Sequence, residues 1–186
     1  MSAEQNRYKN RFRRGGGCGI VKVNTKKLVL IGVLASAAII LSYIEFLLPP
    51  IYSAVPGIKM GLANIAVIFA LYSIDGKSAA LISVIRVALS ALLFGTVTSF
   101  IYSACGAILS LTVMILLKKS TLFSPVGVSV AGAVMHNVGQ VLCAIIMLGA
   151  AEIGYYLVVL SVSAVLAGVL VGLASAVLIK TVKTRP

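Results

Sequence analysis

The chain has 186 residues, of which 60% are hydrophobic and 11% are charged, and its formal net charge is +12. Soluble domains are usually about a quarter charged and less than half apolar, so the composition excludes a soluble protein and predicts an integral membrane protein. The positive residues cluster at the ends of apolar runs, which is the pattern that orients a membrane protein rather than a surface for nucleic acid.

The first 25 residues form a basic segment that we expect to be a disordered cytoplasmic tail. Its central part, RYKNRFRRGGGCG at 7–19, is suited to anionic lipid headgroups, with nucleic-acid binding as the alternative. The apolar run that follows is too long for the h-region of a cleaved signal peptide. Residues 26–186 are therefore predicted to form one membrane domain in contact with the lipid bilayer.

Apolar runs close to the length that crosses a bilayer as a helix, about 20 residues, recur six times along the chain. Short segments that contain proline, glycine or charge separate them, such as PPIYSAVPG at 49–57 and KKSTLFSP at 118–125. The predicted fold class is an all-α membrane protein, a bundle of six transmembrane helices. The predicted helices cover 28–48, 58–74, 78–94, 97–117, 126–149 and 155–179.

The distribution of Lys and Arg predicts the orientation of the bundle. Fourteen of the sixteen lie before residue 28, in the 75–77 turn, in the 118–125 loop or after residue 179. The opposite side holds only Lys59. Because cytoplasmic loops carry the excess of positive charge, we expect a multi-pass protein of the cell membrane with both termini in the cytoplasm.

A few strongly polar side chains lie inside the predicted spans, where an unpaired charge is costly. In the predicted orientation they all lie in the middle or outer half of the membrane, which predicts a cavity that opens to the outside. Hydrogen bonds between helices, and an ion pair between Glu45 and Arg86, are the structural alternatives. The six residues are Glu45, Asn64, Arg86, His136, Asn137 and Gln140.

Enzymatic motifs are missing from the chain. Its four acidic residues and single histidine form neither a magnesium motif nor an ordinary zinc site. Gly76, Lys77 and Ser78 resemble the end of a phosphate-binding loop, but the first glycine of that motif would fall at Leu71, inside a predicted helix. We therefore predict that the protein is not an enzyme, holds no metal or cofactor, and cannot hydrolyse ATP by itself.

Small residues recur at helical spacing in three helices, which allows helices to approach closely. Gly106 with Ser110, and Gly168 with Gly172 and Ala176, are expected to serve packing inside the bundle. The third pair, Gly32 and Ser36, lies on the first helix.

Four stretches together carry a resemblance to a known family: YIEFLLPP, PGIKMGLANIAVIFALY, IRVALSALLFGTVTSFIYSACGAILS and FSPVGVSVAGAVMHNVGQ. From residue 26 to the C-terminus, the chain resembles the Gx transporter family, also described as heptaprenyl diphosphate synthase component I. That family is similar to the substrate-binding S components of energy-coupling factor transporters. The resemblance implies a six-helix bundle that binds a micronutrient near the outer face and works with a membrane coupling subunit and two ATPase subunits.

The resemblance also implies roles for individual residues. The six polar residues named above, together with Lys59, would line the pocket beneath a lid at 49–60. Gly32 and Ser36 would face the coupling subunit, although the resemblance implies alanine at such positions. Lys59 and Arg86 outnumber Glu45 by one charge, and a low dielectric strengthens that excess, so we expect an anionic or strongly hydrogen-bonding small-molecule solute.

Two other functions stay open. Ordinary prenyl diphosphate synthases bind magnesium through two aspartate-rich motifs, whereas this chain has a single aspartate, Asp75. The first alternative is therefore a non-catalytic membrane accessory subunit of heptaprenyl diphosphate or isoprenoid-quinone synthesis. The second is a standalone secondary carrier, for which the six spans show no obvious inverted repeat.

Overall fold

A computed structural model describes residues 25–47, 61–120, 122–149 and 154–183. Within these ranges the regular structure is entirely helical, and five of the helices are long and apolar enough to cross a membrane. The prediction of an all-helical, multi-pass membrane protein is thereby confirmed. The helices are α1 (Thr25–Leu47), α2 (Asn64–Ser73), α3 (Gly76–Phe94), α4 (Val97–Lys119), α5 (Pro125–Leu148) and α6 (Tyr156–Lys183).

The second helix differs most from its predicted span. The prediction was 58–74, whereas α2 has ten residues, or about 15 Å at 1.5 Å per residue. That length is about half of the hydrocarbon core of a bilayer. Residues 48–60, which include the predicted lid, lie outside the described ranges, as do residues 1–24 of the predicted tail. A sixth span and the orientation of the termini therefore stay predictions.

Burial explains how α2 can be short. Its residues from Ala66 to Leu71 are all buried, and it packs against α1, α3, α5 and α6. A helix that is apolar on all sides is stable where other helices surround it. The centre of the bundle is therefore α2, and the longer helices cover it.

Local sequence signals begin and end the helices. Asp75 Oδ1 accepts a hydrogen bond of 2.7 Å from Ser78 N and so caps α3. Thr96 and Ser124 cap α4 and α5 in the same way, since each side chain accepts from the backbone N–H three residues later. Gly149 ends α5 with a φ of +64°, which a glycine adopts without strain.

Glycines bring α4 and α5 into backbone contact. A Cβ on Gly106 would lie 2.7 Å from the backbone oxygen of His136, and a Cβ on Gly139 would lie 2.9 Å from that of Cys105. Such distances leave no room for any side chain. This contact sets the position of His136 relative to α4.

Glycines also bring α6 into close contact with α5. A Cβ on Gly168 or on Gly172 would lie 2.7 Å from the Cα atom of Val130 or Val126, respectively. Ser129 Oγ adds a hydrogen bond of 2.7 Å to the Gly168 oxygen. The small residues of the sixth helix thus serve packing inside the bundle.

Charged contacts mark one end of the bundle, which we call the lysine-bearing end. Lys27 Nζ lies 2.6 Å from Asp75 Oδ2 and connects the start of α1 to the turn between α2 and α3. The hydrogen bonds from Lys27 and Ser78 hold the pKa of Asp75 below its ordinary value. Lys118, near the end of α4, donates to the Leu71 oxygen at the same end.

Aromatic contacts mark the opposite end, which we call the aromatic end. The ring of Phe94, at the end of α3, lies 5.7 Å from that of Tyr43 and 5.3 Å from that of Phe46, both in the last turns of α1. These rings join the C-terminal ends of α1 and α3.

Candidate functional site

A cavity lies between α1, α3, α4 and α5 in the half of the bundle nearer the aromatic end. The cavity is open to the outside, and the atom-free space in and around it, open solvent included, is about 430 Å³. Three of the predicted site residues, Glu45, Arg86 and His136, line it. The structure therefore brings together side chains from α1, α3 and α5, although 41 residues separate Glu45 from Arg86 and another 50 separate Arg86 from His136.

Arg86 is the dominant charge in this cavity. Its side chain extends from the middle of α3, and only 8% of the residue is exposed. One of its amino groups, Nη1, donates a hydrogen bond of 3.2 Å to Asn64 Oδ1. A guanidinium has five N–H donors, and the bond to Asn64 uses one of them. The group therefore retains donor capacity on the cavity side.

Asn64 supports Arg86 from the first residue of α2. The preceding turn gives Asn64 this position: Gly61 has a φ of +82°, and its oxygen accepts a hydrogen bond of 2.9 Å from Asn64 N. Asn64 itself is not among the described residues that line the cavity. Its side chain acts on the cavity through the guanidinium.

Glu45 connects α1 to the same turn. Its Oε1 accepts a hydrogen bond of 2.5 Å from Leu62 N. The first residues of a helix leave backbone N–H groups without partners, and Ala63 provides no side-chain cap, so the Glu45 carboxylate stabilises the start of α2. Glu45 also lies close enough to Arg86 for their opposite charges to attract.

The polar residues of the HNVGQ stretch face two neighbouring helices: the side chains of His136 and Gln140 both pack near Gly106 on α4, whereas Asn137 faces α6. His136 lines the cavity, and it is buried. Asn137 Nδ2 donates a hydrogen bond of 3.0 Å to the Leu160 oxygen on α6. Gln140 packs over Gly106, where a Cβ would lie 2.9 Å from its Cγ. Successive helical residues are about 100° apart, so one helix cannot direct His136 and Asn137 at the same cavity.

Four serines that the sequence analysis did not single out also line the cavity. Each lies one helical turn from another cavity residue on its own helix, which places the pair on one face. The buried Ser90 Oγ has no hydrogen-bond partner among the described residues. A serine three or four residues from an ionisable residue in an apolar helix is the signal that could have found Ser42, beside Glu45, and Ser90, beside Arg86. The four serines are Ser42, Ser90, Ser99 and Ser103.

The remaining predicted residues lie elsewhere. Lys59 falls outside the described residues. Gly32 and Ser36 are exposed on α1, where nothing lies within 4 Å of a Cβ on Gly32 and Ser36 Oγ bonds to the Gly32 oxygen. Their contact with a coupling subunit stays a prediction. No group of three or more potential metal ligands occurs among the described residues.

Taken together, the described cavity offers a buried cation with unused donors, an acidic side chain, a histidine and several hydroxyls. A carboxylate or phosphate accepts two parallel hydrogen bonds from a guanidinium, and such bonds are stronger than those between neutral groups. The arrangement is suited to holding a small polar or anionic molecule.

No curated protein and no solved structure matches the chain. A family model described as heptaprenyl diphosphate synthase component I matches residues 34–178. The matched range runs from the first half of α1 to the last turns of α6 and includes every described residue that lines the cavity. Because this range is well over half of the sequence, the chain belongs to the heptaprenyl diphosphate synthase component I family, a Gx transporter-like family.

Proposed function

We propose that the protein is the substrate-binding membrane component of an importer of the energy-coupling factor type. It would bind a small anionic or polar solute from the outer side of the cell membrane and work with a membrane coupling subunit and two ATPase subunits. The observation that carries the proposal is the buried Arg86 guanidinium, which has one described hydrogen bond and lines an open cavity.

The energetics of a buried charge support a ligand at this position. A buried ion loses several kcal/mol of hydration, and its partners must replace the hydrogen bonds that water supplied. Asn64 contributes one neutral acceptor, and Glu45 contributes charge from a distance. An anionic solute on the cavity side would supply the acceptors that the described protein groups do not.

The position of the cavity supports uptake from outside. It lies in the half of the bundle remote from the lysine-bearing end, where Lys27 and Lys118 make their contacts. The positive-inside rule assigns that end to the cytoplasm. In this orientation a solute would enter at the aromatic end, near the last turns of α1.

Native mass spectrometry of the protein purified gently from its own membranes tests the proposal. We expect the wild type to retain a small molecule, and Arg86→Ala to lose it while still inserting into the membrane. Lys77→Ala is the matched control, because Lys77 is an exposed cation near the start of the same helix, α3. Unchanged retention by Arg86→Ala, or no retained molecule in the wild type, contradicts the proposal.

The partners are tested separately by isolating the tagged protein from native membranes. Co-purification of two ATPases and a second membrane subunit supports the importer. Solute uptake by vesicles that contain this chain alone, without any ATPase, would instead identify a secondary carrier.

The family description favours one other function, that of a non-catalytic membrane subunit in heptaprenyl diphosphate synthesis. The only aspartate of the chain, Asp75, is bonded to Lys27 and Ser78 at the lysine-bearing end, away from the cavity. It therefore resembles a structural residue rather than a magnesium ligand. Co-purification of a soluble prenyl synthase in place of the ATPases would favour this function.

A further inference from the structure

The cavity serines lack a hydrogen bond that several exposed hydroxyl residues on the described helices make. Where Ser36, Thr112 and Thr181 are exposed, each hydroxyl donates a hydrogen bond back to the carbonyl four residues earlier on its own helix. This bond is the usual way to satisfy a hydroxyl that has no other partner. None of the four cavity hydroxyls makes such a bond, or any other with a described residue.

Ser90 is the strongest case among them. The residue is 5% exposed, and its buried Oγ has no hydrogen-bond partner among the described residues. Elsewhere in the bundle, the buried Ser129 donates to a backbone oxygen of the neighbouring helix. Ser110 shares the lack of a partner, but it packs near Gly132 and is not part of the cavity lining. Burial of a hydroxyl without a hydrogen-bond partner is unfavourable, and a ligand in the cavity would offset this cost.

The hydroxyls lie beside the cation. Ser90 follows Arg86 by one helical turn on α3, and both line the cavity. Ser99 and Ser103 contribute from α4, and Ser42 contributes from α1. A hydroxyl both donates and accepts, so this wall can pair with the hydroxyls of a solute.

The charges that line the cavity limit how many negative charges the solute can carry. Among the described lining residues, the single full positive charge of Arg86 is opposed by Glu45. One guanidinium can hold one carboxylate through two parallel bonds. The second negative charge of a dianion would have no second Lys or Arg to bind among the described lining residues, and the Glu45 carboxylate would repel it.

We infer that the four serines form an uncharged subsite beside Arg86, and that the solute is a small, hydroxylated monocarboxylate. Its carboxylate binds Arg86, and its hydroxyl groups bind the serines. This inference rests on the proposed function and names its substrate class.

Three probes with the same carbon count test it by titration calorimetry on the purified full chain. Glycerate has the acid and the hydroxyls, propionate has only the acid, and glycerol has only hydroxyls. We expect glycerate to bind at least about fivefold more tightly than propionate, since each of its two hydroxyls can add a hydrogen bond. Glycerol should show no measurable binding.

Variants test whether the serines cause the difference in affinity between glycerate and propionate. Ser90→Ala should weaken glycerate binding about 3- to 10-fold and leave propionate binding unchanged. Ser36→Ala is the control, because that hydroxyl is exposed and bonded to its own helix. It should change neither affinity.

The outcomes separate this inference from the proposed function. Equal binding of glycerate and propionate, or equal weakening of both by Ser90→Ala, overturns the serine subsite but leaves anion binding intact. If neither acid binds while the native protein still retains a molecule that depends on Arg86, the substrate class named here is wrong and the proposed function stands. If neither acid binds and nothing is retained, both fail.

Discussion

The contact between α4 and α5 predicts the effect of one added methyl group at Gly139. A Cβ there would lie 2.9 Å from the Cys105 oxygen, 2.9 Å from Gly106 Cα and 3.1 Å from Gly106 N. All three are backbone atoms and cannot rotate away. Carbon atoms pack best at about 3.5–4.0 Å, so Gly139→Ala should separate the helices locally by about 0.6 Å or more.

The magnitude follows from two opposing effects. Overpacking of a tight contact costs about 1–3 kcal/mol, and we expect about 2–3 kcal/mol here because the contacting atoms are backbone atoms. Replacing glycine by alanine within a helix gains about 1 kcal/mol. We expect Gly139→Ala to lower the free energy of unfolding by about 1–2 kcal/mol. For a chain of this length, that corresponds to a decrease in Tm of about 2–8 °C.

The substitution should also reach the cavity. His136 lies one turn before Gly139 on α5, and Ser103 lies one turn before Gly106 on α4, and both line the cavity. Separation of the two helices therefore moves two walls apart. Retention of the solute in native mass spectrometry should decrease in Gly139→Ala.

Gly32→Ala provides the matched control. Nothing lies within 4 Å of a Cβ at Gly32, so the helix preference of alanine acts there without a clash. Thermal unfolding of both variants in the same detergent should give an unchanged or higher Tm for Gly32→Ala and a lower one for Gly139→Ala. Equal shifts in both variants, or a Gly139→Ala protein as stable as the wild type, would refute the described contact.

Two further predictions concern other contacts. The Sγ atoms of Cys105 and Cys143 lie 3.3 Å apart, so oxidation of the Cys18→Ser protein should form an intramolecular disulfide between them. The disulfide would be seen as a loss of two hydrogens in the intact mass. Persistence of two free thiols would show that the register of α4 against α5 differs from the one described. Asp75→Asn keeps a capping side chain but removes the ion pair with Lys27, so Tm at neutral pH should decrease by an amount equivalent to under about 1 kcal/mol, and the decrease should shrink in high salt. Because the folded pKa of Asp75 is lowered, its contribution is present above about pH 4, the unfolded value, and is lost as the pH falls below it; a variant that loses stability in acid as steeply as the wild type would exclude this contribution.

Apolar length and charge placement determined the membrane class and most of the helices. A backbone in lipid must satisfy its own hydrogen bonds, so each long apolar run had to become a helix, and caps such as Asp75, Thr96 and Ser124 begin three of them where the sequence indicates. The depth argument also placed Glu45, Arg86 and His136, with the other polar residues, in the middle or outer half of the membrane. The structure places these three around one cavity.

Tertiary packing decided what the one-dimensional pattern could not. The sequence gives α2 the same apolar character as a lipid-facing span, yet its neighbours surround it, and the helix is only ten residues long. Asn137 is adjacent to His136 in sequence, but helix rotation directs it to the Leu160 oxygen on α6. Ser90 lines the cavity because the face of α3 that carries it and Arg86 turns toward the inside of the bundle. Composition and periodicity thus determine which segments enter the membrane, whereas the contacts between helices determine which polar groups meet, because rotation about each helix axis is set by its neighbours.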